Sequence, residues 1–304
     1  MNSKFNKPKG FGEILDHTFS LSKKHFKEFF MILILFMGPV YLLQAIVQLA
    51  TGTSFIRESG SGGDWFSQML AGFESTGEFD SSSLSADIGL IVIGLVSALL
   101  YPVAEAAILF VIDHIRKAEE FTVKSVIKQA FSRYWPMLGS SILFGLITLG
   151  IIIVPLVIVG VSGGFVGAMV HPVFGVLLGI VLFIGFAIGV GLLLTRWSFY
   201  FGSVILDKQS PGFTRSWRLS KKRTWASMGL YIVFYLIISI ISVVVELVFG
   251  ALLGNSVVFT LISNLATLFT TMIFSVGYAI MYFDLRTRHD ADDLKELIED
   301  YTTI

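Results

Sequence analysis

Ionisable side chains inside apolar runs are the first place to look for chemistry, because each costs several kcal/mol in lipid unless it is paired or hydrated. Three stand out in this sequence: Glu105, Arg196 and Glu246. Glu105 follows Tyr101 and Pro102, so on a helix the Tyr101 hydroxyl lies one turn away and can satisfy the carboxyl group. Counted back along a continuous helix from Asp113 and Asp207, at about 1.5 Å per residue, Glu105 lies about 12 Å deep and Arg196 about 16 Å. Such depths allow two arrangements. The two side chains meet as a buried pair, or Arg196 snorkels beside Trp197 while Glu105 stays protonated. A cavity holding Glu105, Arg196, Tyr101 and Asn264 would suit a small transporter or lipid-handling permease. Glu246 sits near the end of its run and reaches water.

Other chemistries lack their residues. Cysteine is absent, which removes disulfides, thiolate metal sites and thiol nucleophiles together. His17, His25, His114, His171 and His289 share no ligand spacing. His-Asp-Ala-Asp-Asp at 289–293 has the look of a metal loop without the Gly and Glu that an EF-hand requires. Gly160, Gly163, Gly164 and Gly167 are followed by no Lys-Ser/Thr, so they make no phosphate loop. No catalytic residue, metal or cofactor is expected, and the chain reads as a non-enzyme.

The elements that must carry these residues follow from composition. Of 304 residues, 54% are apolar even before 29 Gly are added, and 14% are charged, against about 25% charged in soluble proteins. Six runs reach the length of roughly 20 predominantly apolar residues that a membrane crossing needs: Phe29 to Ala50, Ile88 to Ile112, Met137 to Val161, Val173 to Phe201, Met228 to Phe249 and Val257 to Phe283. The expected fold is an all-α, polytopic membrane helix bundle of six transmembrane helices arranged as three pseudo-repeated hairpins. Residues 1–28 form an amphipathic cytoplasmic segment, 29–283 the membrane domain with one long exterior loop at 51–86, and 284–304 an acidic helical tail. A surface helix is expected in the loop at Trp65–Phe73. In the tail, Leu294, Leu297, Ile298 and Tyr301 would make one apolar stripe. The Ser162–Pro172 and Gly250–Ser256 links read as short exterior loops.

The formal charge is zero, from 22 Lys and Arg against 22 Asp and Glu. That balance gives no pull toward nucleic acid. Yet 20 of the 22 cations fall on one side of the six runs, Arg57 and Arg196 excepted. Such a bias places both termini in the cytoplasm of a cell-membrane protein. Lys23, Lys24 and Lys27 flank a stripe of Phe11, Leu15, Phe19, Phe26 and Phe29, as in a helix lying in the headgroup plane. Arg215, Arg218, Lys221, Lys222 and Arg223 form a second basic cluster. Anionic lipid headgroups are the expected partners, with each cation worth about 1 kcal/mol near the surface. Gly175 with Gly179, and Gly185 with Gly189, have the spacing for close helix packing, either within the chain or against a second copy or another membrane protein.

Each odd-numbered run is approached by a basic, aromatic segment: Phe19-Ser-Leu-Ser-Lys-Lys-His-Phe-Lys-Glu-Phe-Phe30, Ala130-Phe-Ser-Arg-Tyr-Trp-Pro-Met137 and Ser216-Trp-Arg-Leu-Ser-Lys-Lys-Arg-Thr-Trp225. Each even-numbered run exits into an Asp, at 113, 207 and 284. The stretch Gly212-Phe-Thr-Arg-Ser-Trp-Arg-Leu-Ser-Lys-Lys-Arg-Thr-Trp225, with Gly229 and the ending Tyr282-Phe-Asp-Leu-Arg286, resembles the multi-pass glycerophosphoryl diester phosphodiesterase membrane domain and its uncharacterised bacterial relatives. The chain lacks the length for the phosphodiesterase barrel that some members carry. The resemblance implies a bacterial envelope membrane protein and carries over no catalytic residue. The expected function is that of a scaffold or accessory protein that engages anionic lipid or a partner through its cytoplasmic helices.

Overall fold

The structure, a computed structural model, describes residue 5 and residues 7–56, 84–254 and 256–302, with side chains except at 84–87 and 291–302. Every regular element among them is helical. In chain order these are α1 (Phe11–Lys24), α2 (Phe26–Ala50), α3 (Leu84–Lys117), α4 (Val123–Phe131), α5 (Tyr134–Met169), α6 (Pro172–Ser198), α7 (Tyr200–Ile205), α8 (Phe213–Ser220), α9 (Thr224–Val245) and α10 (Val257–Thr302). A π-helical turn, Glu246–Gly250, and the short helix Ala251–Leu253 prolong α9.

Six helices are long and apolar enough to cross a membrane: Phe26–Ala50, Ile88–Lys117, Tyr134–Met169, Pro172–Ile205, Thr224–Leu253 and Val257–Asp290. In lipid the backbone must satisfy its own hydrogen bonds, and a helix does so within one segment. The chain is therefore a multi-pass, all-helical membrane protein. A short helix precedes α2, α5 and α9 in turn, so the threefold order of short helix and hairpin is present in the fold. The proposed surface helix at Trp65–Phe73, and the side chains of the tail stripe Leu294–Tyr301, lie outside the described residues.

The chain forms two compact units: Met1–Phe11 with Ser132–Ile232 and Met281–Ile304, and Gly12–Phe131 with Val233–Ile280. The second unit has an extensive apolar core. It gathers Phe29, Ile32 and Leu33 of α2, the run Val103–Ile112 of α3, and Val126 and Ala130 of α4, all at or near zero exposure apart from Glu105. Asn264 donates to Gln44 at 3.0 Å, joining α10 to α2. Phe234 of α9 packs edge-on to Phe274 and covers Gly277, where a Cβ would lie 2.5 Å from the ring.

α1 departs from its expected stripe. Its buried residues are Ile14, Thr18, Leu21 and Ser22, whereas Phe11, Phe19 and Phe26 stay about two-fifths exposed and Phe29 belongs to the core of α2. Exposed aromatics on a half-buried helix suit contact with lipid rather than packing.

In the first unit α5 and α6 pack along each other. The exterior link expected at Ser162–Pro172 is corrected. α5 runs on to Met169, and only Val170 and His171 make the turn, with the His171 ring accepting the Val173 amide as an N-cap ahead of Pro172. Its glycines are packing surface instead of loop. A Cβ on Gly175 would strike the Gly163 carbonyl and come within 2.6 Å of the Gly167 Cα. A Cβ on Gly185 meets nothing within 4 Å, so the second small-residue pair takes no part in this seam. Outward, the hairpin shows Leu146, Val161, Phe165, Val176, Val181 and Phe183. So continuous an apolar surface suits lipid.

The hairpin seam gives a clear prediction. Gly175→Val is expected to destabilise the protein by about 1–3 kcal/mol through forced separation of the helices, while Gly185→Val stays within about 0.5 kcal/mol. Thermal melts of the two purified variants in detergent check this.

Candidate functional site

Where an apolar helix stops, its last carbonyls need donors. α6 stops at Ser198, short of the continuous run to Phe201 read from the sequence, and Phe199 separates it from the wholly buried α7. The carbonyl of Arg196 is exposed by this break. Ser216 of α8 donates to it at 2.6 Å and Ser220 at 3.3 Å, and the Ser220 hydroxyl also reaches the Ser216 carbonyl at 2.9 Å. Thr224, the first residue of α9, donates to the Ser220 carbonyl at 2.9 Å and accepts from Arg196 Nε at 3.2 Å. Ser216, Ser220 and Thr224 thus form one ladder of hydroxyls along a side of α8 and the start of α9.

The ladder fixes the guanidinium as well as the carbonyl. Arg196 lies over the Trp217 ring, 4.5 Å from its centroid, a cation–π contact that strengthens where water is partly excluded. Trp217 is steadied by Trp197, 6.0 Å away, and Trp197 by Phe213 at 6.3 Å. Arg196 was placed about 16 Å deep by counting along an unbroken helix. It sits instead in the last turn of α6, level with the first residue of α9, because the helix breaks and α8 folds back beneath it.

Around Arg196 lies a cavity of about 550 Å³. Gly189, Leu192 and Leu193 of α6 form its apolar part. Arg196 and the turn Lys221, Lys222 and Arg223 form its cationic part, with Trp217, Thr224 and Trp225 completing the wall. Among the described residues no carboxylate, imidazole or thiol lines it. The volume falls within the range of small-molecule sites, about 300–1,000 Å³. Such a cavity can hold an anion at one end and hydrocarbon at the other.

A buried ionic clasp positions α8. Asp207 takes Arg215 Nε at 3.1 Å and the Tyr282 hydroxyl at 2.9 Å, and lies 3.3 Å from Arg286. Its side chain is 8% exposed. Gly202 of α7 lies so flat on Tyr282 that a Cβ would approach the ring to 2.6 Å. Asp290, 59% exposed, flanks the clasp at 3.8 Å from Arg215 and 3.9 Å from Arg286. The other two exit acids are engaged too. Asp113 pairs with Arg116 and Lys117, and Asp284 with Arg288 and the backbone N–H of Lys9.

The residues singled out in the sequence fall in both units. Tyr101 hydrogen-bonds Glu105, as their spacing suggested, and both belong to the second unit. Arg196 has its partners, Trp217 and Thr224, within the first. Arg215 pairs with Asp207 and lies 3.8 Å from Asp290. Arg218 is exposed on α8, away from the cavity wall. Lys221, Lys222 and Arg223 line the cavity. Lys23 and Lys24, at the end of α1, and Lys27, at the start of α2, are exposed. There burial pushes the His25 imidazole below its ordinary 6.5 despite nearby Glu28.

Sequence reasoning missed Ser216, Ser220, Thr224, Trp217 and Asp207. One signal was available: hydroxyls at 216, 220 and 224 recur every four residues, which puts them on one helical face. A second was the doubled string Leu21-Ser-Lys-Lys-His25 and Leu219-Ser-Lys-Lys-Arg223. Both copies bury the Leu and the Ser. The stretches Gly212–Trp225 and Tyr282–Arg286 meet at Asp207, through Arg215 and Arg286. Compared with known proteins, the chain matches no family model, no curated protein and no solved structure.

Asp207→Asn should cost about 3 kcal/mol, the usual loss when one partner of a buried ionic cluster is neutralised. Asp290→Asn, at an exposed position, should cost about 0.5 kcal/mol or less. Denaturant titration in mixed micelles compares the two.

Proposed function

We propose that this multi-pass membrane protein binds the headgroup of an anionic lipid in the Arg196 cavity and acts as a non-catalytic scaffold or accessory protein of a cell membrane. One observation carries the reading: four cations and no acid line a single cavity whose other end is apolar. An amphiphile with a negative head meets both ends at once, while a soluble anion would leave Leu192 and Leu193 wet. Cations near a membrane surface attract anionic lipid by about 1 kcal/mol each, and a preorganised arginine adds charge-assisted hydrogen bonds. That the lining holds no carboxylate, imidazole or thiol supports a role in binding over bond cleavage. The segregation of 20 of the 22 Lys and Arg residues supports a cytoplasmic placement of this end.

Trp217 and Trp225 in the wall make the site readable by quenching. In vesicles where a fixed fraction of lipid is brominated, brominated phosphatidylglycerol is expected to quench tryptophan fluorescence more than brominated phosphatidylcholine. The excess should fall by about tenfold in apparent affinity in Arg196→Gln, the scale of a lost charge-assisted pair. Equal quenching by the two lipids in the unmodified protein overturns the proposal.

A further inference from the structure

The same cavity discriminates between kinds of phosphate. We infer that it selects a lipid phosphomonoester, such as phosphatidic acid, over a lipid phosphodiester; the inference rests on the headgroup reading above. It starts from how Arg196 is held. Its Nε is occupied by Thr224 and one face by Trp217, so the edge carrying the two terminal nitrogens is what remains to meet a ligand. That edge is a planar fork, and its natural complement is a pair of oxygens on one phosphorus.

The third oxygen decides the class. With two oxygens on the Arg196 fork, the next position on the phosphorus lies in a cavity whose wall holds three more cations, Lys221, Lys222 and Arg223. In a phosphomonoester that position is a further charged terminal oxygen. In a phosphodiester it is an ester oxygen, a poor acceptor that also carries a substituent into the space. Charge points the same way. A phosphomonoester carries about −1.5 to −2 at pH 7, and a diester about −1. Arg196, Lys221 and Arg223 form no ion pair with protein among the described residues, so the more highly charged head leaves fewer of them uncompensated.

The apolar end assigns the phosphate to a lipid. Gly189 opens this end, and a Cβ built there meets nothing within 4 Å. A large side chain at 189 would occupy the space of the hydrocarbon without touching the cations.

The test uses the full chain in phosphatidylcholine nanodiscs, with phosphatidic acid, phosphatidylglycerol and inorganic phosphate as probes. Phosphatidic acid is expected to bind about tenfold more tightly than phosphatidylglycerol. Arg196→Lys keeps the charge and loses the fork, so it should bring that ratio close to one while both lipids still outbind phosphatidylcholine. Its melting temperature, compared with that of the unmodified protein, shows that the fold is kept. Gly189→Phe should weaken phosphatidic acid and leave phosphate unaffected. Equal binding of the two anionic lipids overturns the inference and spares the headgroup site. Failure of both to exceed phosphatidylcholine overturns the headgroup site as well. Phosphate binding as tightly as phosphatidic acid, with Gly189→Phe without effect on either, overturns the lipid assignment.

Discussion

A helix that ends among apolar side chains must find donors for its last carbonyls, and the base of α6 is organised around that requirement. Water is the usual donor at helix ends, but here the break at Phe199 leads into buried α7. Side-chain hydroxyls take its place. Ser216 and Ser220 donate to the Arg196 carbonyl, which brings α8 under α6, and Thr224 then reaches the Arg196 side chain. α7 and α8, of six and eight residues, are short and would be marginal alone. Joined, they hold a guanidinium at a defined height against an indole.

The clasp at Asp207 does for α8 from one side what the hydroxyl ladder does from the other. A buried carboxylate with two arginines and a tyrosine is weak ground for net stability, since desolvation offsets much of the attraction. Its geometry is nonetheless restrictive. Arg215 and Trp217 lie two residues apart on the same short helix, so an α8 fixed through Arg215 also fixes the ring beneath Arg196. The clasp supports the site without lining it.

The internal repeat places the same basic string in two different surroundings. Leu21-Ser22-Lys23-Lys24 and Leu219-Ser220-Lys221-Lys222 are the same string, buried at the same two positions. The second continues into Arg223 and sits beside an arginine supplied by α6. The first continues into His25, whose imidazole burial pushes below its ordinary pKa. Identical lysines therefore have different surroundings, and their neighbours decide what they can bind.

Six membrane helices, three hairpins and the basic loops were legible because hydropathy and charge are local properties that a bilayer reads directly. The Tyr101–Glu105 contact was legible for the same reason, since one helical turn sets it. Helix limits were less so. Gly163 and Gly167 look like loop residues until Gly175 is seen packed against them, and the stop at Phe199 cannot be seen in an apolar run that simply continues. What tertiary structure alone decided is which cations remain available. Arg215 and Lys221 are equally basic in the sequence, yet one is consumed by Asp207 and the other faces a cavity. Pairing depends on distance in space, and an aperiodic contact across eight or eighty residues leaves no pattern along the chain.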